Sequence, residues 1–378
     1  MSSSRFASFR GALRHRAKAG VRRVRISLPK IILATFASVF SYWFAETVLG
    51  HDGPLFAATS ALISLNFATT SHVRRTLEVA IGCTFGIVVG DLLMTAFGQG
   101  LWQAAVVVFV SLIISRFLDS GVVFSMQFGL QSLLVVLLPL PESGPFSRSL
   151  DAITGGTVAL ILVMLWPKDP SREPAKALSD LLKETAAAVR ELSRSLAQDD
   201  AKLAWHSLVR ARGTQSLVDA AAREMKESAE FARISPSGWR RRGEVAALQR
   251  VQKEADLAVR NIRVLCRRTA TLMSNEVLSE RIRADLADAM ETLADAVLVM
   301  SSSVADPSPH GRDRYMSQTR SRLVELSSQL APHALGASDP QAVGLVMMLR
   351  PLTVDLLEAT GIPHDEAVRY LPTLKDLD

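Results

Sequence analysis

Apolar residues dominate the chain up to Trp166, whereas charged residues after Pro170 interrupt every apolar run before it is long enough to span a bilayer. Six apolar stretches of roughly 17–22 residues precede this boundary, enough at 1.5 Å per residue to cross a ~30 Å hydrocarbon layer. They cover residues 29–49, 54–70, 76–97, 101–117, 120–138 and 150–166. The pattern predicts a six-helix transmembrane domain over residues 29–167.

The second half of the chain has the pattern of amphipathic α-helices, with apolar residues at three- and four-residue steps between charged faces. These segments are residues 173–198, 201–232, 244–273, 276–302, 312–330 and 341–360. The sequence here contains no glycine-rich phosphate loop and no nucleophile motif. About 208 residues are enough to bury a core, so residues 171–378 are predicted to form an α-helical cytoplasmic domain.

The first thirty residues contain nine Arg or Lys and no acid. A targeting peptide or a nucleic-acid-binding arm would have this composition, but a juxtamembrane segment (residues 1–28) at an anionic lipid surface is the preferred interpretation. With the N-terminus inside, the inner side also carries Arg74, Arg75, Arg116 and Lys168, and the outer side only Arg148. The asymmetry predicts that both the N-terminus and the second domain lie in the cytoplasm. We expect a multi-pass protein of the inner (plasma) membrane, with no nucleic acid as partner.

The openings of the third and sixth spans repeat one residue pattern. Arg148 matches Arg75, Leu150 matches Leu77, Asp151 matches Glu78, Gly155 matches Gly82, Thr157 matches Thr84 and Ala159 matches Gly86. The two copies would begin on opposite sides of the bilayer, as expected of two inverted three-helix repeats. The alternative is a chance match within the apolar alphabet of membrane helices.

The charged residues of this pattern suggest a transport chemistry. Guanidinium groups at Arg75 and Arg148 can attract and grip an anion, and carboxylic acids at Glu78 and Asp151 can carry a proton in a low-dielectric site. The alternative is that each Arg and its acid, three residues apart, only neutralise each other within one helix.

Other small and polar residues lie within the spans. Gly82, Gly86, Gly90 and Gly155 are expected to permit close helix packing, although the stripe of three could also line a narrow pore. The amides of Gln127, Gln131 and Asn66 are candidates for the anion pathway, or for simple bonding between helices.

Neither metal chemistry nor catalysis is indicated. Cys83 and Cys266 lie in unlike regions and seven histidines are scattered, so no disulfide framework, metal site or cofactor is predicted, and an enzyme is the least favoured class.

The third span opens with Arg-x-Leu-Glu-x-x-x-Gly-Cys-Thr-x-Gly, and the sixth opens with Arg-x-Leu-Asp-x-x-x-Gly-Gly-Thr-x-Ala and closes in Leu-Trp-Pro. These motifs resemble the fusaric acid resistance and aromatic acid exporter family and, more distantly, the plant aluminium-activated malate transporters. The resemblance covers about residues 25–170. It implies efflux of aromatic or other organic carboxylates, or anion conduction, in a homodimer of six-helix subunits.

Three functions are therefore kept open. A proton-coupled exporter would need Glu78 or Asp151 to titrate. A voltage-driven anion channel would not, because an interior-negative potential already drives anions outward by ~2.3 kcal/mol per charge per 100 mV. A membrane scaffold would transport nothing and would recruit a partner through the helical domain.

Overall fold

The computed structural model describes residues 3–65, 73–118, 121–139, 146–165, 169–275, 278–337 and 339–373, with side chains described throughout except at 3–19, 22, 23, 26, 73–75, 234, 236 and 237. All regular secondary structure in these ranges is α-helical, which confirms the all-α prediction. The chain divides into two compact units, Met1–Pro167 and Lys168–Asp378.

The first unit contains six of the helices in the described ranges. They are α1 (Ser3–Thr47), α2 (Leu55–Leu65), α3 (Val73–Phe97), α4 (Leu101–Leu118), α5 (Val122–Leu137) and α6 (Ser147–Leu165). Helix α1 joins the basic segment to the first apolar span without a break and runs through Pro29.

Four of these helices contain segments long and apolar enough to cross a membrane: Ser27–Thr47, Thr76–Phe97, Leu101–Leu118 and Ser147–Leu165. Helices α2 and α5 are apolar but shorter, with 11 and 16 residues. The description of α2 ends where residues 66–72 begin, so the predicted second span continues outside the described residues. Six spans therefore stay a prediction.

Close contacts between pairs of helices hold the first unit together, and α3 with α5 and α2 with α6 are the most extensive pairs. A Cβ atom on Gly82 or Gly86 of α3 would lie 3.2 or 2.4 Å from the carbonyl oxygen of Phe124 or Phe128 of α5. A Cβ on Gly155 of α6 would lie 2.1 Å from the carbonyl oxygen of Ala57 of α2. Only glycine allows backbones to approach this closely.

The order of these contacts gives the direction of the helices. Gly82, Gly86 and Gly90 meet Phe124, Phe128 and Ser132 in the same order along both chains, so α3 and α5 run parallel. If successive helices cross the bilayer in opposite directions, α3 and α5 must run parallel, as observed. The C-terminal ends of α3 and α5 consequently lie at the same end of the unit.

The second unit is a helical domain with its own core. Its helices are α7 (Arg172–Gln198), α8 (Ala201–Gly213), α9 (Gln215–Ile234), α10 (Pro236–Trp239), α11 (Arg242–Asn275), α12 (Glu280–Ala305), α13 (Pro309–Gln329), α14 (Pro340–Ala359) and α15 (His364–Arg369). Helix α7 packs mainly on α12, and α11 on α14. Fully buried side chains such as Leu181, Leu192, Ile262 and Met290 fill the core, each contributing about 1.5–3 kcal/mol by burial.

Candidate functional site

A group of buried polar side chains lies at the N-terminal end of α6. Its members, which we call the α6 polar cluster, are His51, Asp91, Arg148, Ser149 and Asp151. Asp91 comes from the C-terminal part of α3, and His51 from the loop between α1 and α2. Arg148, Asp151 and Asp91 are only 5%, 4% and 7% exposed. Charged groups this deeply buried in an apolar unit are costly unless they are paired.

Arg148 connects α6 to the C-terminal end of α5. Its Nη1 atom donates to the carbonyl oxygen of Val135 at 2.7 Å, and Nη2 donates to those of Leu138, at 3.3 Å, and Pro139. The Val135 carbonyl would normally accept a bond from the N–H of residue 139, but proline has none. Arg148 therefore supplies the donor that the end of α5 lacks.

The positive charge of Arg148 also has an acidic and an aromatic neighbour. Nη1 lies 3.9 Å from Oδ1 of Asp91, and Oγ of Ser149 donates to Oδ2 of Asp91 at 3.4 Å. The guanidinium carbon lies 5.7 Å from the centroid of the Phe56 ring, within the range of a cation–π contact. The cation is thus in contact with three other helices, α2, α3 and α5.

Asp151 bonds to a different partner. Its Oδ1 lies 2.6 Å from Nδ1 of His51, which carries the proton of this bond whenever the carboxylate is ionised. The partners that the structure gives Arg148 and Asp151 therefore lie on other elements, in contrast to the alternative of a pair within one helix. This bond ties the loop between α1 and α2 to the first turns of α6.

The predicted site residues are distributed over both ends of the unit. Arg148 and Asp151 belong to the α6 polar cluster, whereas Glu78 lies half-buried near the start of α3. The side chain of Arg75 and all of Asn66 lie outside the described residues. The α6 polar cluster thus holds both members of the second predicted pair, Arg148 and Asp151, and does not include Glu78 of the first.

Two of the three predicted amides, Gln127 and Gln131, lie on α5. Gln131 is fully buried, and its Nε2 atom has only the sulfur of Cys83, at 3.7 Å, as acceptor. Within the described residues, the buried Oε1 atoms of Gln103, Gln127 and Gln131 have no hydrogen-bond partner. A buried acceptor without a donor costs about 1–3 kcal/mol. A polar ligand that donates a hydrogen bond to one of these oxygen atoms would remove that cost.

Three members of the cluster, Asp91, His51 and Ser149, are not among the predicted site residues. The signal for Asp91 is an acid within an otherwise apolar span. His51 could be recognised from the order of the spans: if successive helices cross the bilayer in opposite directions, the loop after the first span lies on the same side as the start of the sixth span.

Among the described residues, no group of three or more His, Cys, Asp or Glu side chains is arranged to hold a metal ion.

Comparison with known proteins connects this unit to membrane transport. Residues 37–162 match the family model described as "Fusaric acid resistance protein-like", which confirms the resemblance of the sequence motifs to the fusaric acid resistance family. An uncharacterized protein of Corynebacterium glutamicum is 29% identical over 354 residues, covering 92% of this chain and 89% of that protein.

Proteins of Mycobacterium bovis and Mycobacterium tuberculosis carry the name "Putative arylamide transporter". They are 23% identical to this chain over 317 residues, covering 82% of this chain and 86% of each relative. These names point to a transporter and not to an enzyme. With the apolar helices of the first unit, they make this chain a multi-pass membrane protein.

Proposed function

Because residues 37–162 of this chain match the family model described as "Fusaric acid resistance protein-like", we propose that the protein exports aromatic organic anions across the inner membrane in exchange for protons. The observation that carries this proposal is the α6 polar cluster, which buries one cation, two carboxylates and a histidine in an apolar unit. A passive membrane anchor has no need of such a costly group.

The proposed orientation follows the distribution of basic residues. Nine Arg or Lys in the first thirty residues favour a cytoplasmic N-terminus, which would put the α6 polar cluster at the outer side and the helical domain in the cytoplasm. Glu78 and Arg75 would then lie near the inner side. The pathway would run between the two ends, past Gln127 and Gln131.

The helix contacts support the proposed inverted repeat. An axis that exchanges α1–α3 with α4–α6 converts the α3/α5 pair into the α6/α2 pair, and these two pairs have the most extensive contacts of the unit. Both pairs approach through glycine, Gly82 and Gly86 in one and Gly155 in the other. A homodimer of such units remains part of the proposal.

The charge of the cluster gives a reason for proton coupling. With both carboxylates ionised, Arg148 charged and His51 neutral, the cluster has one net negative charge; a single proton on His51 or on an acid makes it neutral. Low-dielectric surroundings favour the neutral form. An anion that reaches Arg148 would compete with Asp91 for the guanidinium, and the displaced Asp91 would then favour binding a proton.

One cycle would move one anion outward and one proton inward. The anion carries negative charge out of the cell, and the proton carries positive charge in. An interior-negative potential therefore drives both movements, by about 2.3 kcal/mol per charge per 100 mV. The proton enters the cluster from outside, passes to the inner acid Glu78 and leaves to the cytoplasm. The anion leaves through the position that it shares with Asp91 at Arg148.

The proposed substrate class is a ring with an anionic group. Arg148 provides a guanidinium for a carboxylate, and the Phe56 ring beside it provides an aromatic surface. The name of the mycobacterial relatives refers to arylamides, which share the ring but lack the charge. Arylamides are therefore the natural comparison in a transport assay.

The test is efflux from proteoliposomes loaded with 4-hydroxybenzoate or acetanilide, with protein-free liposomes as the leak control. We expect a proton gradient to accelerate 4-hydroxybenzoate efflux at zero voltage, and Asp151→Asn and Asp91→Asn to abolish this acceleration. Efflux of acetanilide alone would overturn the anion proposal. Efflux driven by voltage and indifferent to the gradient would support a channel, and no efflux of either compound would support the scaffold.

A further inference from the structure

The helical domain contains a groove between the N-terminal part of α11, the C-terminal end of α12 and the start of α13. Its volume is about 330 Å³, at the small end of the range for ligand pockets. Leu248, Val251, Val304 and Met316 form an apolar floor, and Arg250 and Arg312 lie at its edge. We propose that this groove binds a single-ring aromatic carboxylate, so that the domain senses the class of compound that the membrane unit exports.

The edge of the groove offers one arginine that is free to bind. Among the described residues, the guanidinium of Arg250 has no hydrogen-bond or ion-pair partner, and the side chain is exposed. Arg312 is instead occupied, because its Nη2 atom donates to Oε1 of Glu244 at 3.0 Å. A carboxylate would therefore bind at Arg250, where the planar guanidinium can donate two parallel hydrogen bonds.

The acidic groups that line the groove, Glu244 and Asp313, do not neutralise the positive charge of Arg250. Partial burial would raise the pKa of Glu244, but hydrogen bonds from Arg312 and Arg241 lower it overall, so its negative charge is offset by two cations. Asp313 is exposed at the rim and has no described partner. It would weaken the binding of an anion without blocking it.

The backbone beside Arg250 also has an unusual conformation. Gly361, directly after α14, has a φ of +93°, and a Cβ atom at this position would lie 3.2 Å from Nη1 of Arg250. A glycine allows the guanidinium to lie against the chain at the end of α14, beside the groove. The cation is thus held next to the apolar floor, although no acid binds it.

A second cavity among the described residues of this domain has a different character. It measures about 450 Å³ and is lined by Arg190, Arg194 and Arg210, with Ala187 and Leu203 among the few apolar residues. Two of these arginines already bind carboxylates, Arg190 with Glu291 and Arg210 with Glu184. It offers no comparable apolar floor for a ring, which favours the groove at α11 as the site for an aromatic acid.

This inference rests on the proposed export of aromatic anions, and its test uses the full-length protein in detergent. Benzoate and its uncharged analogue benzamide are titrated by calorimetry, and hydrogen–deuterium exchange locates the bound ligand. We expect benzoate to protect amides of α11 and α13 beside the groove. Arg250→Gln should weaken benzoate binding in the groove about tenfold, read from the concentration that protects these amides, and leave benzamide binding there unchanged, since it removes only a charge-assisted bond.

Three further variants complete the test. Arg267→Gln removes an exposed cation from the same helix, away from the groove, and should bind benzoate as the wild type does. Met316→Trp fills the groove and should abolish the protection of the groove by both ligands, and Asp313→Asn should strengthen binding of benzoate in the groove. Equal benzoate affinity in the Arg250→Gln and Arg267→Gln variants, or no protection at the groove, would overturn the proposal.

The outcomes for the two functions can be separated. Benzoate flux through proteoliposomes without binding in the groove would overturn the sensing site and leave export intact. Protection of the groove without flux would support the binding site and overturn export.

Discussion

The Nδ1 atom of His51 lies 2.6 Å from Oδ1 of Asp151, and this bond fastens the loop between α1 and α2 to the first turns of α6. It brings together two residues one hundred positions apart in sequence. Because an imidazole can take up or release a proton, the bond gives the buried carboxylate of Asp151 a partner that can exchange protons.

Replacing His51 with Gln should remove the pH dependence of transport. Gln can still donate a hydrogen bond to Asp151 but cannot take up a proton near neutral pH. We expect the rate of 4-hydroxybenzoate efflux to change with pH in the wild type between pH 5.5 and 8, and to be flat in His51→Gln. Asp52→Asn, at an exposed position of the same loop, should keep the wild-type profile. An unchanged profile in His51→Gln would exclude this histidine from coupling.

Arg148 and Asp91 should depend on each other for stability. Arg148→Gln leaves the Asp91 carboxylate buried without its cation and the carbonyl oxygens of Val135 and Pro139 without their donor. Removing one partner of a buried pair costs roughly 3–5 kcal/mol. The double variant with Asp91→Asn should lose less than the sum of the single variants, measured by thermal unfolding in detergent. Additive losses would contradict the pairing.

A methyl group at Gly155 should separate α2 from α6. Its Cβ would lie 2.1 Å from the carbonyl oxygen of Ala57, so Gly155→Ala should cost more than about 2 kcal/mol of stability. Gly82→Ala, whose Cβ would be 3.2 Å from the nearest atoms of Phe124, is the matched control and should cost less than half as much. Equal thermal stability of the two variants would show that α2 and α6 do not pack this closely.

The helical domain should lose stability as the pH rises. Burial raises the pKa of Asp355 from its ordinary value of 3.8 to about 6; the hydrogen bond from Asn261 opposes this rise, and the charges of Glu254 and Glu358 add to it. The carboxyl is therefore harder to ionise in the folded state. The protonated Asp355 carboxyl contributes its full stabilisation of the folded state below pH 3.8, and this contribution is lost as the pH rises through about 6.

Asp355→Asn should remove this loss and raise the stability of the domain at pH 8 by about 1–2 kcal/mol, since each pKa unit corresponds to about 1.36 kcal/mol and solvent screens a half-buried group. Urea unfolding can be followed by Trp205 and Trp239 after Trp43, Trp102 and Trp166 are changed to Phe. Asp288→Asn, at an exposed position of α12, should behave as the wild type. A wild-type stability that does not change between pH 5 and 8 would contradict the assignment.

The helices could be predicted from the sequence because their periodicity is a local property. The segments predicted at 173–198 and 341–360 correspond within one residue to α7 and α14. The segment predicted at 201–232 is in fact two helices, α8 and α9, which meet at Gly213 and Thr214. An amphipathic pattern that continues across a tight junction gives no sign of the break.

The partners within the α6 polar cluster could not be predicted in the same way. The sequence indicates Arg148 and Asp151 as site residues because charged residues are energetically costly in apolar spans. The structure gives each of them a partner from a distant part of the chain. The distance between Asp91 and Arg148 depends on how α3, α5 and α6 pack. That packing is decided by glycines and side-chain shapes on several helices at once.

The most direct test of the central claim is the reversal potential of the 4-hydroxybenzoate current in a planar bilayer as the pH on one side is changed. Exchange of one anion for one proton moves two charges per cycle, so we predict a shift of about 30 mV per pH unit. Asp151→Asn should remove the shift. A reversal potential that stays at the equilibrium value of the anion at every pH would contradict proton-coupled export and identify an anion channel.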